Sequence, residues 1–418
     1  KGIVNNISQT INSIKSAVAE AQSSAGVPIH KVTVGIAGKH IRSLQHSDYI
    51  MRDHPDQYIT EEDIEKLKDQ VKKLVMLPGE EIIHVLPQDY KVDSEGEIQE
   101  PVGMHGKRLE ANFHVVVGQM GSIRNIARCV REAGLEMEAL TLEPLASSEA
   151  VLTKEEKEAG VAIVDIGGGT TDIAIFKDNI IRHTCVIPYG GGIITDDIKE
   201  GCSIIEKHAE QLKVKFGSSV PELEKDSTYV TIPGLHGRPD KEISLKILAQ
   251  IINARVEEIL EMVNTELKAY GAFEQKKKLI AGIVLTGGGS NLRNLRQLAN
   301  YTTGFDSRIG FANEYVANDK NQYLKGPEFA TSIGLLMESL KIRDKKMLVT
   351  EEEIIEELKP QIENVIQAQT QSQEIQTPQV QNDIVELAKH KAEVKKNRPT
   401  FGQSLMDKVK KFFEEVEE

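Results

Sequence analysis

No stretch of this 418-residue chain approaches the run of about eighteen apolar residues that a membrane-spanning helix needs. Cysteine is scarce too: Cys129, Cys185 and Cys202 are the whole complement, with no CxxC spacing among them. They offer neither a disulfide framework nor a zinc site and read as reduced, buried thiols in a reducing compartment. Positive charge is in deficit, with 51 Lys and Arg against 64 Asp and Glu and a net charge of −13. Binding a phosphate backbone needs a basic surface, so nucleic acid is not expected as a partner. No repeat of 20–50 residues is visible. The chain opens on KGIVNNISQTINSIKSAVAEA, with no initiator methionine and no signal-peptide pattern. That segment reads as the interior of a domain, and we expect a fragment whose N-terminal portion lies upstream.

With 39% hydrophobic and 28% charged residues, the chain has the composition and length of a globular protein of two or more domains. Ile7, Ile11, Ile14 and Val18 recur at helical spacing, and KVTVGIAG at 31–38 reads as a strand ending in small residues. Thr60 opens a helix over ITEEDIEKLKDQVKKLVM with acidic residues in its first turn. EIIHVLPQDYKVD and RLEANFHVVVG are strand-like, and residues 122–134 return to helix, closed by Gly134. Residues 203–275 read as largely helical and polar, interrupted by a strand and loop at STYVTIPGLHGRP. ATSIGLLMESL at 330–340 closes the globular part.

Three glycine clusters carry the chemistry. In VAIVDIGGGTTDIAIF (161–176) two short, β-branched apolar runs flank GGGTTD, the pattern of a β-hairpin with the glycines at its tip. Glycine lets backbone amides crowd a ligand, and such amides with threonine hydroxyls form a nest for phosphate oxygens. Asp165 and Asp172 suit that site if Mg²⁺, held through waters, neutralises them. An ordinary glycine-rich hairpin is the competing reading. IVLTGGGSNLRNLRQL sets Gly287, Gly288 and Gly289 between a strand and a helix capped by Ser290 or Asn291, whose N-terminus favours negative charge. A third cluster, PYGGG at 188–192, precedes the helix start ITDDI. One nucleotide site built from several segments accounts for all three.

These residues carry a resemblance. IVDIGGGTTDIAIF resembles the second phosphate loop of the actin, hexokinase and heat-shock chaperone superfamily, IVLTGGGSNL its adenosine loop, and LEPLASSEAVL (142–152) its first connecting helix. GIAGKHI, HVLPQDYKVD, VGMHGKRLEANFHVV, IRHTCVIPYGGGIITDDI and the amphipathic C-terminal end resemble the FtsA family of actin-like bacterial division proteins, from residue 1 to about 342 and again at the C-terminus. The resemblance implies an α/β, two-lobed actin-like ATPase fold. Its subdomain 1A would comprise 1–38, 120–160 and 326–343, and 1C would comprise 39–119. Subdomain 2A would comprise 161–200 and 276–325, and 2B 201–275. It places ATP and Mg²⁺ between the lobes. Gly167, Gly168, Gly169, Thr170 and Thr171 would face the phosphates with Gly190 and Gly191 beside them, and Asp165 and Asp172 would lie on the metal side. Glu210 and Lys213 match the pair that meets ribose and adenine, although alone they read equally as a solvated helix face. Gly287 to Asn291 would bound the adenosine, and Glu143 would orient an attacking water unless it is a structural carboxylate before Pro144. The family begins with a further D-x-G-T phosphate hairpin, expected upstream of Lys1.

Residues 344–400 turn charged and glutamine-rich, a flexible linker by composition. Beyond it, within 401–418, Leu405, Met406, Val409, Phe412, Phe413 and Val416 share one helical face of roughly 120°. Docking on the body or on a partner competes with membrane-surface insertion; the long tether favours the membrane. Three lysines against five acidic residues from 405 to 418 leave this helix net negative, so apolar burial must carry the binding. Six side chains at ~1.5–3 kcal/mol each set an upper figure. Such weak anchors suit a polymer, where many act together. The resemblance implies a cell-division protein that polymerises under the inner membrane at the septum. It would hold the FtsZ C-terminal tail through subdomain 2B, engage itself through 1C and 2B, and meet later division proteins through 1C. The alternatives are an MreB-like or PilM-like filament or scaffold protein, or less readily a sugar kinase or chaperone. A kinase needs a substrate domain and a chaperone a β-rich peptide domain, and neither is visible here.

Overall fold

The computed structural model describes residues 4–234, 239–312, 324 and 326–344. The apolar spacing at 5–25 forms α1 (Ile7–Ala25), and the branched run KVTVGI forms β1 (Lys31–Ile36). Next come β2 (Ile41–Met51), α2 (Glu61–Lys72), β3 (Glu80–Val92), β4 (Glu95–Ile98) and β5 (Arg108–Gln119). At the start of α2 the Thr60 amide donates to the Asp63 carboxylate at 3.2 Å, half of the capping box that the sequence suggests. Then follow α3 (Met120–Glu132), β6 (Glu136–Leu142), α4 (Glu143–Val151) and α5 (Lys154–Ala159). Gly134, at φ 88°, stops α3 in the left-handed region.

The second half of the chain runs β7 (Val161–Ile166), β8 (Thr171–Lys177), β9 (Ile180–Ile187), α6 (Gly191–Gly201) and α7 (Glu206–Phe216). It continues through β10 (Tyr229–Ile232), β11 (Lys241–Ser244), α8 (Leu245–Tyr270), β12 (Ile283–Thr286), α9 (Leu295–Thr303) and β13 (Ser307–Ile309). A last helix, α10, occupies 330–344.

The central sheet has strand order β13-β12-β7-β8-β9. β12 runs parallel to both β7 and β13, while β8 and β9 return antiparallel. Every residue of β7 is buried, because apolar layers cover both faces of this sheet. Ala162, Val164 and Ile166 pack with α6, α7, α8 and α9, whereas Val161 and Ile163 pack with α4 and α10. The two-residue alternation of a strand thus feeds two separate cores. The expectation of a polar 203–275 is corrected here: α8 buries Leu248, Ile252, Val256, Leu260, Val263 and Leu267 in the larger core.

A four-stranded antiparallel sheet, β2-β5-β3-β4, packs with α2 around Phe113, Leu67 and Val115. Polar side chains tie it to neighbouring elements. Gln88 Nε2 donates to the Ile181 carbonyl at 2.8 Å, His114 Nε2 lies 3.1 Å from Thr184 Oγ1, and His84 Nε2 accepts the Leu142 amide at 3.0 Å. The sheet leaves and rejoins the chain at adjacent points, since the Gln119 amide donates to the His40 carbonyl at 3.2 Å. β1 and β6 form a separate parallel pair.

Contacts group the chain up to Ser16 and from Ile29 to Lys341 into one unit, to which the candidate site belongs. Ala17–Pro28 fall in a second unit, helical as far as Ala25. The linker expected at 344–400, apart from its first residue, and the amphipathic face of Leu405, Met406, Val409, Phe412, Phe413 and Val416 lie outside the described residues.

Candidate functional site

The hairpin expected at 161–176 is present: β7 and β8 pair antiparallel from Val161↔Phe176 to Ile166↔Thr171, leaving Gly167–Thr170 as the tip. The Gly167 amide donates to the Thr170 carbonyl at 2.9 Å and closes the turn. Glycines of the third cluster then grip the tip from outside, with Gly191 and Gly192 amides donating to Gly167 and Gly168 carbonyls at 2.8 and 2.7 Å. Helix α6 therefore begins at Gly191, inside the glycine run and ahead of ITDDI. A side chain at Gly190 would stand 2.5 Å from the Gly167 oxygen, so close backbone packing explains that glycine.

The turn after β12 lies beside this hairpin tip. Gly287, Gly288, Gly167, Gly168, Gly169, Thr170, Asp165, Asp172 and Glu143 line one cavity of about 590 Å³. A second cavity of about 320 Å³ is lined by Gly167, Gly168, Gly191, Gly288, Gly289, Asn291, Glu210 and Lys213. Two side-chain-free turns 120 residues apart in sequence (168 and 288) thus share both cavities. The glycines differ in what demands them. Gly287 has φ 80° and no room for a Cβ against Asp165, and a Cβ at Gly289 would meet Ile166 at 2.4 Å. At Gly168 a Cβ would meet nothing within 4 Å, and at Gly288 only Glu328 Cβ at 3.8 Å. The fold has space for a side chain at these two positions, and the space belongs to the cavities.

Two expected positions face elsewhere. Thr171 is fully buried and donates its hydroxyl to the Tyr189 carbonyl at 2.9 Å, while Ser290 donates to the Gly287 carbonyl at 2.7 Å. Both hydroxyls satisfy local backbone and leave the cavities without them. Nor does Ser290 or Asn291 cap an α-helix. Gly288–Asn291 form a 3-10 turn, and α9 starts after Asn294, whose φ of 63° redirects the chain.

Three carboxylates meet at one wall. Asp165 accepts Ser147 Oγ at 2.6 Å and Thr331 Oγ1 at 3.1 Å on Oδ2, and Asp172 accepts Thr170 Oγ1 at 2.8 Å on its own Oδ2. Asp172 Oδ1 is buried with no hydrogen-bond partner among the described residues. Burial first, then the neighbouring negative charges, pushes Glu143 up to about 7 and Asp172 up to about 8. Burial raises Asp165 as well, against the pull of its two hydroxyl partners. Crowded, desolvated carboxylates with an orphaned oxygen have the donor chemistry of a hard divalent cation's surroundings. Among the described residues no three acidic, His or Cys groups enclose a metal directly.

At the other end, Lys213 Nζ donates to the Gly191 carbonyl and Thr195 Oγ1, both at 2.8 Å, and pairs with Glu210 Oε2 at 2.7 Å. This pair faces the second cavity, with the Lys213 side chain 13% and that of Glu210 49% exposed. Sequence reading missed Ser147, Thr331 and Glu328. Ser147 lies one helical turn beyond Glu143 on α4, a spacing that could have signalled it. Thr331 and Glu328 come from a remote segment with no local signature.

A family model described as cell division protein FtsA matches residues 162–334, and one described as an SHS2 domain inserted in FtsA matches 38–117. A cell division protein FtsA from Pseudomonas aeruginosa is 39% identical over 341 residues, covering 81% of this chain and 80% of the relative. That of Escherichia coli K12 is 34% identical over 340 residues, 80% of each chain. Among solved structures, the PilM-PilN type IV pilus biogenesis complex aligns at a TM-score of 0.57 with 18% identity, covering 81% of this chain and 86% of that one, a likeness of fold alone. The fold is the α/β, actin-like ATPase fold, and this chain belongs to the FtsA family of cell division proteins.

Proposed function

We propose that this chain is an ATP-binding, actin-like division protein that polymerises on the cytoplasmic face of the bacterial inner membrane and holds FtsZ there at the septum. The convergence of the Gly168 and Gly288 turns on common cavities carries the nucleotide reading, because the backbone alone does not require glycine at either position. Phosphates would lie against Gly167–Thr170 in the cavity bearing Asp165, Asp172 and Glu143, with the nucleoside between Gly288–Asn291 and the Glu210–Lys213 pair. A Mg²⁺ ion near Asp165 and Asp172 would offset the clash between carboxylates and phosphates. Glu143, with a carboxyl raised by burial, is suited to orient a water, so slow hydrolysis is compatible with the site.

In the subdomain arrangement we favour, 39–119 is 1C, and its four-stranded sheet serves filament and downstream-protein contacts. Residues 201–275, with the β10–β11 ribbon and α8, form 2B and take the FtsZ C-terminal tail. The face of Leu405, Met406, Val409, Phe412, Phe413 and Val416 inserts into the membrane surface. No described helix is long and apolar enough to cross a membrane. Vesicle flotation with purified FtsZ tests the whole. FtsZ should float only with this chain and ATP present, and FtsZ remaining at the bottom of the gradient would refute the tethering role.

A further inference from the structure

Strand β3 of the four-stranded sheet slips out of register with β5 twice. Ile82 and His84 pair with Val117 and Val116, and Pro87 and Asp89 pair with Phe113 and Asn112, so Ile83 and Gln88 are extra residues without partners. Such bulges re-aim the side chains around them. Each one here accompanies a side chain that leaves the sheet for a neighbouring element. Gln88 Nε2 donates to the Ile181 carbonyl of β9 at 2.8 Å, and His84 Nε2 accepts the Leu142 amide at the end of β6 at 3.0 Å. Accepting at Nε2 puts the ring proton on Nδ1. Burial keeps the ring neutral, with its titration pushed down to about 4.

Leu142 is the residue before Glu143. It ends β6 opposite Ile36 and stands at the N-cap of α4 with a side chain that cannot bond the first turn, and Pro144 beyond it brings no amide. Glu143 lies against β1, where a Cβ at Gly35 would stand 2.9 Å from its Cγ. Its carboxylate lines the cavity that Asp165 and Asp172 share. Burial and the Asp165 charge act on that carboxylate, and no hydrogen bond from the described residues does. The backbone at the start of α4 therefore aims it, and His84 holds that backbone one residue earlier. We propose that His84 is a positioning residue: by fixing the Leu142 amide it sets the first turn of α4, so that the four-stranded sheet governs where the Glu143 carboxylate points. The proposal rests on the nucleotide reading above, with Glu143 orienting the attacking water, and adds the sheet's control of that step. There the water oxygen bonds the γ-phosphorus and the bond to the β–γ bridging oxygen breaks. ADP leaves, one water proton stays on the phosphate and the other passes to solvent.

The discriminating experiment is single-turnover hydrolysis of Mg²⁺-ATP by the full chain, with ATP affinity from calorimetric titration. His84→Ala should slow hydrolysis by roughly ten- to a hundredfold, the cost of a misplaced group, and leave ATP affinity unchanged. His84→Gln, which keeps an acceptor oxygen at the reach of Nε2, should recover most of the rate. Glu143→Gln should be slow, and His84→Ala added to it should slow it no further, because both changes act on one carboxylate. A residue that only packs the sheet would slow both backgrounds alike. If His84→Ala does not fold, His84→Asn, too short to reach the Leu142 amide, carries the same expectation. A wild-type rate in the folded variant, no recovery in His84→Gln, or equal loss in both backgrounds overturns the assignment. ATP bound but not hydrolysed by wild type, or Glu143→Gln as fast as wild type, also overturns it while the nucleotide reading stands. Failure of wild type to bind ATP overturns both.

Discussion

Asp165 and Asp172 are register partners across the β7–β8 hairpin, so both carboxylates stand on the same face of the sheet, beside the glycine tip. Two negative groups so placed, with Glu143 in the same cavity, favour protonation or a cation. The sign of the pH effect follows. Glu143 and Asp172 titrate near 7 and 8 in the folded chain, against 4.5 and 3.8 for the free groups. Between the two sets of values the native state binds more protons than the unfolded one, so stability falls as pH rises. The ligand-free protein should therefore lose stability from about pH 5 to pH 8 through these groups. Asp172→Asn should flatten the melting-temperature profile over that range, and Mg²⁺ with ATP should flatten it in wild type. Parallel profiles for wild type and variant would count against the carboxylate cluster.

Acid should act through different groups. His114 is 1% exposed and, through burial first and then the charge of His183, titrates near 4 in place of 6.5. It takes its place as a neutral ring between Gln45 and Thr184. Here the unfolded state binds more protons between the two values, so stability falls as pH drops from about 6.5 towards 4. Hydrogen exchange should show β5 and β9 losing protection across that window, and less change with pH in His114→Asn. Identical pH dependence in the variant would remove this histidine from the account.

Membrane binding is assigned to the C-terminal face, outside the described residues. Phe412→Glu combined with Phe413→Glu replaces two apolar anchors with charge and should abolish co-sedimentation with lipid vesicles. On this reading its melting temperature should stay within a degree or so of wild type, as for substitutions outside a packed core. Undiminished co-sedimentation would reject the segment as the anchor.

Removing 39–119 tests the four-stranded sheet as a separable interaction domain. The proximity of His40 and Gln119 lets the cut ends be joined by a short linker. The shortened chain should still bind nucleotide and should form disordered polymers or none by electron microscopy. Filaments indistinguishable from wild type would contradict the filament role of this domain.

Much of the central sheet is legible in sequence because its signals are local. Alternating branched residues mark β7 and β8, and three glycines between them mark the tip. The glycine runs mix two causes that sequence cannot separate. Gly190, Gly287 and Gly289 are required by backbone or side-chain contacts, whereas Gly168 and Gly288 face open cavity. The start of α9 was hidden because a 3-10 turn and the left-handed Asn294 intervene after a plausible capping serine. Nor could the buried stripe of α8 be weighed without its partners, since its apolar positions are interleaved with polar and charged ones. Thr331 and Glu328 reach the site only through tertiary structure, whereas Ser147 sits one helical turn beyond Glu143.

The most direct test is titration of Mg²⁺-ATP into wild type and Gly168→Val side by side. A Cβ at 168 meets no atom within 4 Å, so the variant should fold and melt like wild type while its branched side chain occupies phosphate space. Wild type should bind, and the variant should bind at least about a hundredfold more weakly. Equal affinity in a folded variant would place the nucleotide elsewhere and contradict the account.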